Sequence, residues 1–145
     1  MVELQNEQEL RRLADFLPYQ LSVTSNAISG LIAERYHARF GLKIAEWRVM
    51  AVLGDIEFAT QRLLTSATLM DKVTVNRACK VLRDRGLIER SPNEADGRSH
   101  LLSLTKEGRN IHGEVMPLAR IIEREIFSVL SENEQDQFRT FLARI

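Results

Sequence analysis

Lys72, Thr74, Asn76, Arg77 and Lys80 crowd into one short stretch, and their chemistry is that of recognition rather than bond-breaking. An Asn amide sets a donor beside an acceptor, which matches adenine in bidentate fashion. An Arg fork matches guanine O6 and N7, and each such pair is worth about 1–3 kcal/mol of discrimination. Thr74 and Lys80 suit phosphate oxygens. Val75, Cys79 and Leu82 recur at i, i+4 and i+7, with Ala78 and Val81 beside them. That spacing sets the inward face of a helix from Asp71 to Arg85 and leaves the five polar residues outside. Base-reading side chains belong in the first half of a helix that enters the major groove, which is where most of these fall. A second candidate is Arg98, in Asp96-Gly97-Arg98 at the tip of a hairpin. An arginine on such a tip reaches an adjacent minor groove, where narrow A·T-rich tracts concentrate negative potential. Asp96 has the wrong sign for phosphate, and is expected to order the turn by accepting backbone N–H groups or pairing with an arginine.

Catalysis finds no support. His37, His100 and His112 are scattered, with no H-x-x-x-H or H-E-x-x-H pair to hold a metal. Neither a G-x-S-x-G elbow nor a Gly-rich phosphate loop is present. We therefore expect no catalytic residue, no metal site and no cofactor. The competing non-enzymatic reading is a winged-helix module that binds only protein. The outward face over residues 72–80 would then be apolar or acidic; it is basic and amide-bearing.

The bulk composition permits this. The chain has 145 residues, 44% hydrophobic and 28% charged, enough for a core without metal or disulfide. Its net charge is zero, but the charge is unevenly placed: residues 1–59 balance at −2, residues 60–113 at +4 and residues 114–145 at −2. A basic middle between mildly acidic ends suits a chain whose centre alone faces phosphate. A single cysteine, Cys79, excludes an internal disulfide and suits reducing cytoplasm. The first residues lack the signal-peptide pattern, and no apolar run approaches the roughly 20 residues of a membrane span. The expected setting is cytoplasmic, with no membrane partner.

These residues need elements to carry them. Asn6-Glu7-Gln8-Glu9 reads as a capping box, with Leu10, Leu13, Ala14 and Leu17 following at helical spacing until Pro18 restarts the helix. The long helix that follows ends at Phe40-Gly41. It is apolar on more than one side, through Leu17, Leu21, Ile28 and Ile32 and through Phe16, Val23, Ala27 and Leu31, so it requires cover on several sides. In so short a chain that cover is a second copy. A helix from Ile44 to Gly54 should bury Ile44, Trp47, Val49, Met50, Val52 and Leu53. Thr60 caps a helix to about Ala67, and Asp71 caps the next, which Gly86 stops. Leu87 to Ser91 and His100 to Leu104 read as paired strands around a turn-rich Pro92 to Gly97. Thr105 caps a helix to about Leu130, kinked at Pro117, and Ser131 to Glu134 opens the last. The fold class is mainly α with a small β-hairpin wing: a winged helix-turn-helix at 41–104, flanked by dimerisation helices at 1–40 and 105–145.

Leu64 through Arg77, Leu82-Arg83-Asp84-Arg85-Gly86-Leu87-Ile88-Glu89-Arg90, and Asp96-Gly97-Arg98 through Leu104-Thr105 together resemble the multiple antibiotic resistance regulator (MarR) family. Glu46 to Leu53 is similar to the short helix before that core. The most distinctive part is the wing, D-x-R-x-x-x-L-x-L-T. The resemblance implies a homodimeric transcription factor, usually a repressor, on a palindromic operator in double-stranded DNA. It carries base and phosphate contacts over to Lys72, Thr74, Asn76, Arg77, Lys80 and Arg98, with Asp96 structuring the wing. It also implies release of DNA by a small aromatic effector between the dimer helices and the reading lobe. Tyr19, Tyr36, Phe40, Trp47 and His112 are the candidate walls of that site.

Two departures matter. Oxidant-sensing relatives use a cysteine near the N-terminal dimer helix, whereas Cys79 lies on the inward face of the recognition helix and reads as a small buried hydrophobe. Thr65 stands where the family usually has alanine, and Glu57-Phe58-Ala59 lacks the usual Pro or Gly turn.

Overall fold

The computed structural model describes residues 12–145. The capping box expected at Asn6 to Glu9, and Leu10 after it, lie outside the described residues. Residues 12–14 are helical, Asp15 turns, and α1 then runs Leu17–Phe40 with Pro18 in its first turn. Leu17 therefore belongs to the second helix, not to the first. Gly41 ends α1 in the left-handed region (φ 65°) and its N–H donates to the His37 carbonyl at 2.9 Å. A residue with Cβ is strained in that conformation, so glycine is the natural stop.

Helix α2 (Ile44–Asp55) begins with the Glu46 carboxylate accepting from the Lys43 N–H at 3.1 Å. Helix α3 (Gln61–Thr68) is capped by Thr60, whose hydroxyl accepts from Leu63 N–H at 3.1 Å. Leu69 breaks it at φ 56°, an unusual conformation for leucine, and its side chain points into solvent. Helix α4 (Lys72–Asp84) follows, and Gly86 (φ 71°) turns the chain into β1 (Ile88–Pro92). Strand β1 pairs antiparallel with β2 (His100–Leu104), Ile88 opposite Leu104 and Arg90 opposite Leu102. Helices α5 (Lys106–Phe127) and α6 (Glu132–Arg144) complete the chain, with Thr105 and Ser131 as their caps.

Helix α2 is the hub, touching α1, α3, α4, α5 and β2. Val49, Met50 and Leu53 pack there against Leu64, Val75, Ala78, Cys79, Leu82, Leu87, Leu102 and Leu104. Ile44, Trp47 and Val52 are only half-buried, because α2 rims this core as well as crossing it. Val81, expected inside, is 40% exposed: it lies at the edge of the Val75–Leu82 stripe and finds nothing to cover it. The linker problem posed by Glu57-Phe58-Ala59 is solved by pairing. Ala59 exchanges both backbone hydrogen bonds with Leu102, at 3.0 and 2.8 Å, and so adds one residue of sheet outside β2.

The outer helices are different. Among described residues α1 buries only Tyr36, and α6 buries none. Phe16 just before α1, Leu17, Leu21, Val23 and Leu31 of α1, and Phe138, Phe141 and Leu142 of α6, stand exposed in the single chain.

Candidate nucleic-acid interface

The candidate interface begins at the start of α4. Asp71 accepts from the Thr74 N–H at 2.8 Å and from the Thr74 hydroxyl at 2.7 Å. Those bonds, the hydroxyl's first, hold the Asp71 carboxyl below the usual carboxylate range. Thr74 thus spends its single hydroxyl proton on the cap and is half-buried, leaving only lone pairs toward solvent. Lys72, Asn76, Arg77 and Lys80 are exposed, as is Val73, while Val75, Ala78, Cys79 and Leu82 face the core.

In the wing, Asp96 Oδ1 accepts from the Arg98 backbone N–H at 3.0 Å, and the Ser99 N–H donates to the Asp96 carbonyl at 3.2 Å. Asn93 reinforces the loop, its Oδ1 accepting from Ala95 N–H and its amide donating to Ser99 Oγ at 2.8 Å. The tip is therefore closed by side chains, and the Arg98 guanidinium is in no ion pair among the described residues.

Where the ion pairs do fall is informative. The four among the described residues are Arg35–Glu125, Arg39–Glu114, Arg139–Glu123 and Arg139–Asp136, all on α1, α5 and α6. None involves Lys72, Arg77, Lys80 or Arg98. Among the described residues the ion-paired acids lie on the outer helices, and the cations of α4 and the wing are in no ion pair.

Helix and wing open on one side. A groove of about 430 Å³ is lined by Gln61, Arg62, Thr65 and Ser66 of α3 with Lys72 and Asn76 of α4. A second, of about 380 Å³, runs from Thr60, Gln61 and Arg62 to Arg98 and the hairpin. Arg62 lines both, so the two grooves are neighbours on one face.

The five aromatic candidates are not brought together. Tyr36 stacks on Trp47 (centroids 5.1 Å apart) and on Phe40 (6.0 Å). Tyr36 is fully buried, its hydroxyl donates to the Val115 carbonyl at 2.9 Å, and burial raises its pKa. It joins α1 to α5 as core. Trp47 Nε1 is buried with no hydrogen-bond partner among the described residues. His112 stands apart, over Gly54, lining a cavity of about 470 Å³ with Leu53, Phe58, Glu89 and Arg109. Tyr19 lies about 25 Å along α1 from Tyr36, at 1.5 Å per residue, and is exposed.

Cys79 is fully buried, and burial pushes its thiol up to about 11 against the opposing pull of Arg83. Among the described residues no cluster of His, Cys, Asp or Glu is placed to hold a metal, and no helix is long and apolar enough to cross a membrane.

One residue with a structural task escaped the sequence reading. Arg85, just past α4, donates to the carbonyls of Phe40 at 2.8 Å and Gly41 at 3.2 Å, tying the end of the reading helix to the end of α1. A cation at a helix C-terminus also meets the negative end of its dipole. A basic residue near a helix end was legible in sequence; its partner 44 and 45 positions away was not.

A helix pair backed by a closed hairpin, with unpaired cations on its shared face, defines a winged helix-turn-helix protein. The chain matches the MarR family over residues 40–99. It is similar to a probable transcriptional regulator from Pseudomonas aeruginosa, at 33% identity and TM-score 0.81 over 91% of this chain and 98% of that one. It is also similar to the transcriptional regulator HosA of Escherichia coli, 26% identical over 100 residues, 69% of this chain and 74% of HosA. A third likeness, of fold, is to BpsR of Bordetella bronchiseptica, whose DNA binding is regulated by 6-hydroxynicotinic acid. There the identity is 24% and the TM-score 0.82, over 90% of this chain and 93% of that one. The chain belongs to the MarR family of transcriptional regulators, a family of regulators and not of enzymes.

Proposed function

We propose that this regulator reads duplex DNA as a homodimer on a palindromic operator, acting in the cytoplasm as a repressor that a small aromatic ligand releases. The observation that carries the reading is the charge arrangement. Among the described residues Lys72, Arg77, Lys80 and Arg98 are in no ion pair on the lobe that holds helix and wing, whereas the arginines of the ion pairs sit on the outer helices. In this reading α4 enters the major groove with Asn76 and Arg77 at base edges. Lys72 and Lys80 contact phosphate, Thr74 and Asp96 hold the helix start and the wing tip, and Arg98 reaches the adjacent minor groove.

Residues 41–104 are the reading lobe, and 1–40 with 105–145 the pairing region. The exposed apolar side chains of α1 and α6 support that division, since monomeric proteins rarely expose contiguous patches of this kind. A two-fold dimer then matches a two-fold operator. The ligand-release part rests on BpsR, whose DNA binding a pyridine carboxylic acid regulates. Of the five aromatic candidates, this reading keeps His112, which lines a cavity, and Trp47, whose N–H has no partner among the described residues.

The test is selection of bound sequences from random duplex DNA, followed by two variants. Arg77→Ala should relax base preference; Arg98→Ala should weaken binding evenly across sequences and flatten its salt dependence. Native-like binding by both variants sinks the groove assignment. Light scattering at micromolar concentration tests the dimer, which a clean 16.6 kDa species would exclude.

A further inference from the structure

We propose that the groove between the start of α3 and the base of the hairpin is a seat for a DNA backbone phosphate, gripped by Arg62 and Arg90. The inference rests on the DNA-binding reading above and adds a contact that neither the recognition helix nor the wing tip supplies.

Arg62 comes from α3, Arg90 from β1 and Arg98 from the loop beyond, and all three line one groove of about 380 Å³. None of the three is in an ion pair among the described residues. Three arginines on the walls of one hollow favour an anion there, which gains charge-assisted hydrogen bonds from any guanidinium that reaches it. Two acids lie nearby, Asp96 and Glu89. Asp96 lines the groove, but its Oδ1 accepts from the Arg98 backbone N–H. Glu89, beside Arg90 in the strand, lines the cavity of His112 and Arg109 instead, as strand alternation requires. The Gln61 amide, the Ser99 hydroxyl and the His100 ring bring further polar groups to the walls.

Position names the occupant. Arg62 also lines the adjoining groove that holds Lys72 and Asn76, so a strand leaving the recognition helix for the wing crosses this seat. Arg62 and Arg90 hold the phosphate, while Arg98, farther out on the loop, remains for the minor groove. The contact reads no bases and sets the register between helix and wing.

The experiment uses the full chain and a duplex recovered by selection from random DNA, with a scrambled duplex beside it. Binding of the native protein, Arg62→Ala, Arg90→Ala and the double variant is followed by fluorescence anisotropy as salt rises. Each lost phosphate contact should lower the log–log salt slope by about 0.9; the double variant loses one contact per half-site, two per dimer, so between about 50 and 200 mM salt it should lose roughly twelvefold less affinity than the native protein. The preference for selected over scrambled duplex should be unchanged, and Arg→Lys at both sites should restore most of the slope. A methylphosphonate walked along the selected duplex should weaken the native protein at one position per half-site and leave the double variant indifferent there. An unchanged slope, a changed sequence preference, or no such position overturns the seat. If the native protein prefers its selected duplex through Arg77 while the slopes coincide, the seat falls alone. If the native protein binds no duplex, the DNA reading falls with it.

Discussion

Gly108→Ala is the substitution whose cost the structure defines best. Gly108 lies in the first turn of α5, and a methyl group there would stand 1.9 Å from the Leu87 carbonyl oxygen, 2.9 Å from its carbon and 3.4 Å from Leu104 Cδ2. Reaching even 3.0 Å from that oxygen requires a shift of 1.1 Å, and the obstacle is backbone. The same carbonyl accepts from Thr105 N–H at 3.0 Å, while Thr105 Oγ1 donates to Gly86 O at 2.6 Å and accepts from Gly108 N–H. Moving the helix therefore loosens the knot that joins α4, β1 and α5. Overpacking of this kind costs about 1–3 kcal/mol, and a weakened hydrogen bond about 1 kcal/mol more. Against this, alanine gains about 1 kcal/mol over glycine in a helix. The net is a loss of about 2 kcal/mol, or roughly 4–8 °C in Tm for a chain of this size. Gly54→Ala is the control. Its methyl would stand 1.9 Å from His112 Nε2, but the imidazole borders a cavity of about 470 Å³ into which it can swing. We expect that variant within about 1 kcal/mol of native. Urea unfolding at one fixed protein concentration, followed by circular dichroism, compares the three. A Gly108→Ala protein as stable as native, or a Gly54→Ala protein less stable than the Gly108→Ala one, would refute the reasoning.

Three further outcomes follow from other contacts. Asp71→Ala should lower the urea midpoint at pH 7 with little change in slope. Because the Asp71 carboxyl is held low, its contribution is present above pH about 4 and lost as pH falls through the lowered value, so the two proteins should converge in acid. Tyr36→Phe should cost about 0.5–1.5 kcal/mol, since the Val115 carbonyl keeps its place in the helical ladder and leaves no orphaned donor; a loss above 3 kcal/mol would point to a different role for the hydroxyl. With its thiol near 11, Cys79 is about one part in a thousand thiolate at pH 8 and is shielded as well, so iodoacetamide followed by mass spectrometry should label it only after unfolding.

Much of this molecule was written in short-range chemistry. Thr60, Asp71, Thr105 and Ser131 each cap the helix that follows, Gly41 and Gly86 each end a stretch at positive φ, and the strands pair around a turn-rich loop at 93–99, with Pro92 itself the last residue of β1. Caps and turns act within three or four residues, so they are legible in order along the chain. The Val75–Leu82 stripe divided α4 into inner and outer faces for the same reason, and missed only at Val81, where burial depends on a neighbour that is not there.

What the sequence determined by itself, then, is the order of elements and which residues face outward on the reading helix. Tertiary structure decided what meets across distance. It paired Ala59 with Leu102, carried Arg85 to the end of α1, buried Tyr36 as core, and separated Tyr19 and His112 from the stack at Tyr36. It also set Arg62, Arg90 and Arg98 around one groove from three elements. No local spacing encodes such meetings, because they are fixed by how helices and hairpin pack around the shared core, and that packing is a property of the whole chain.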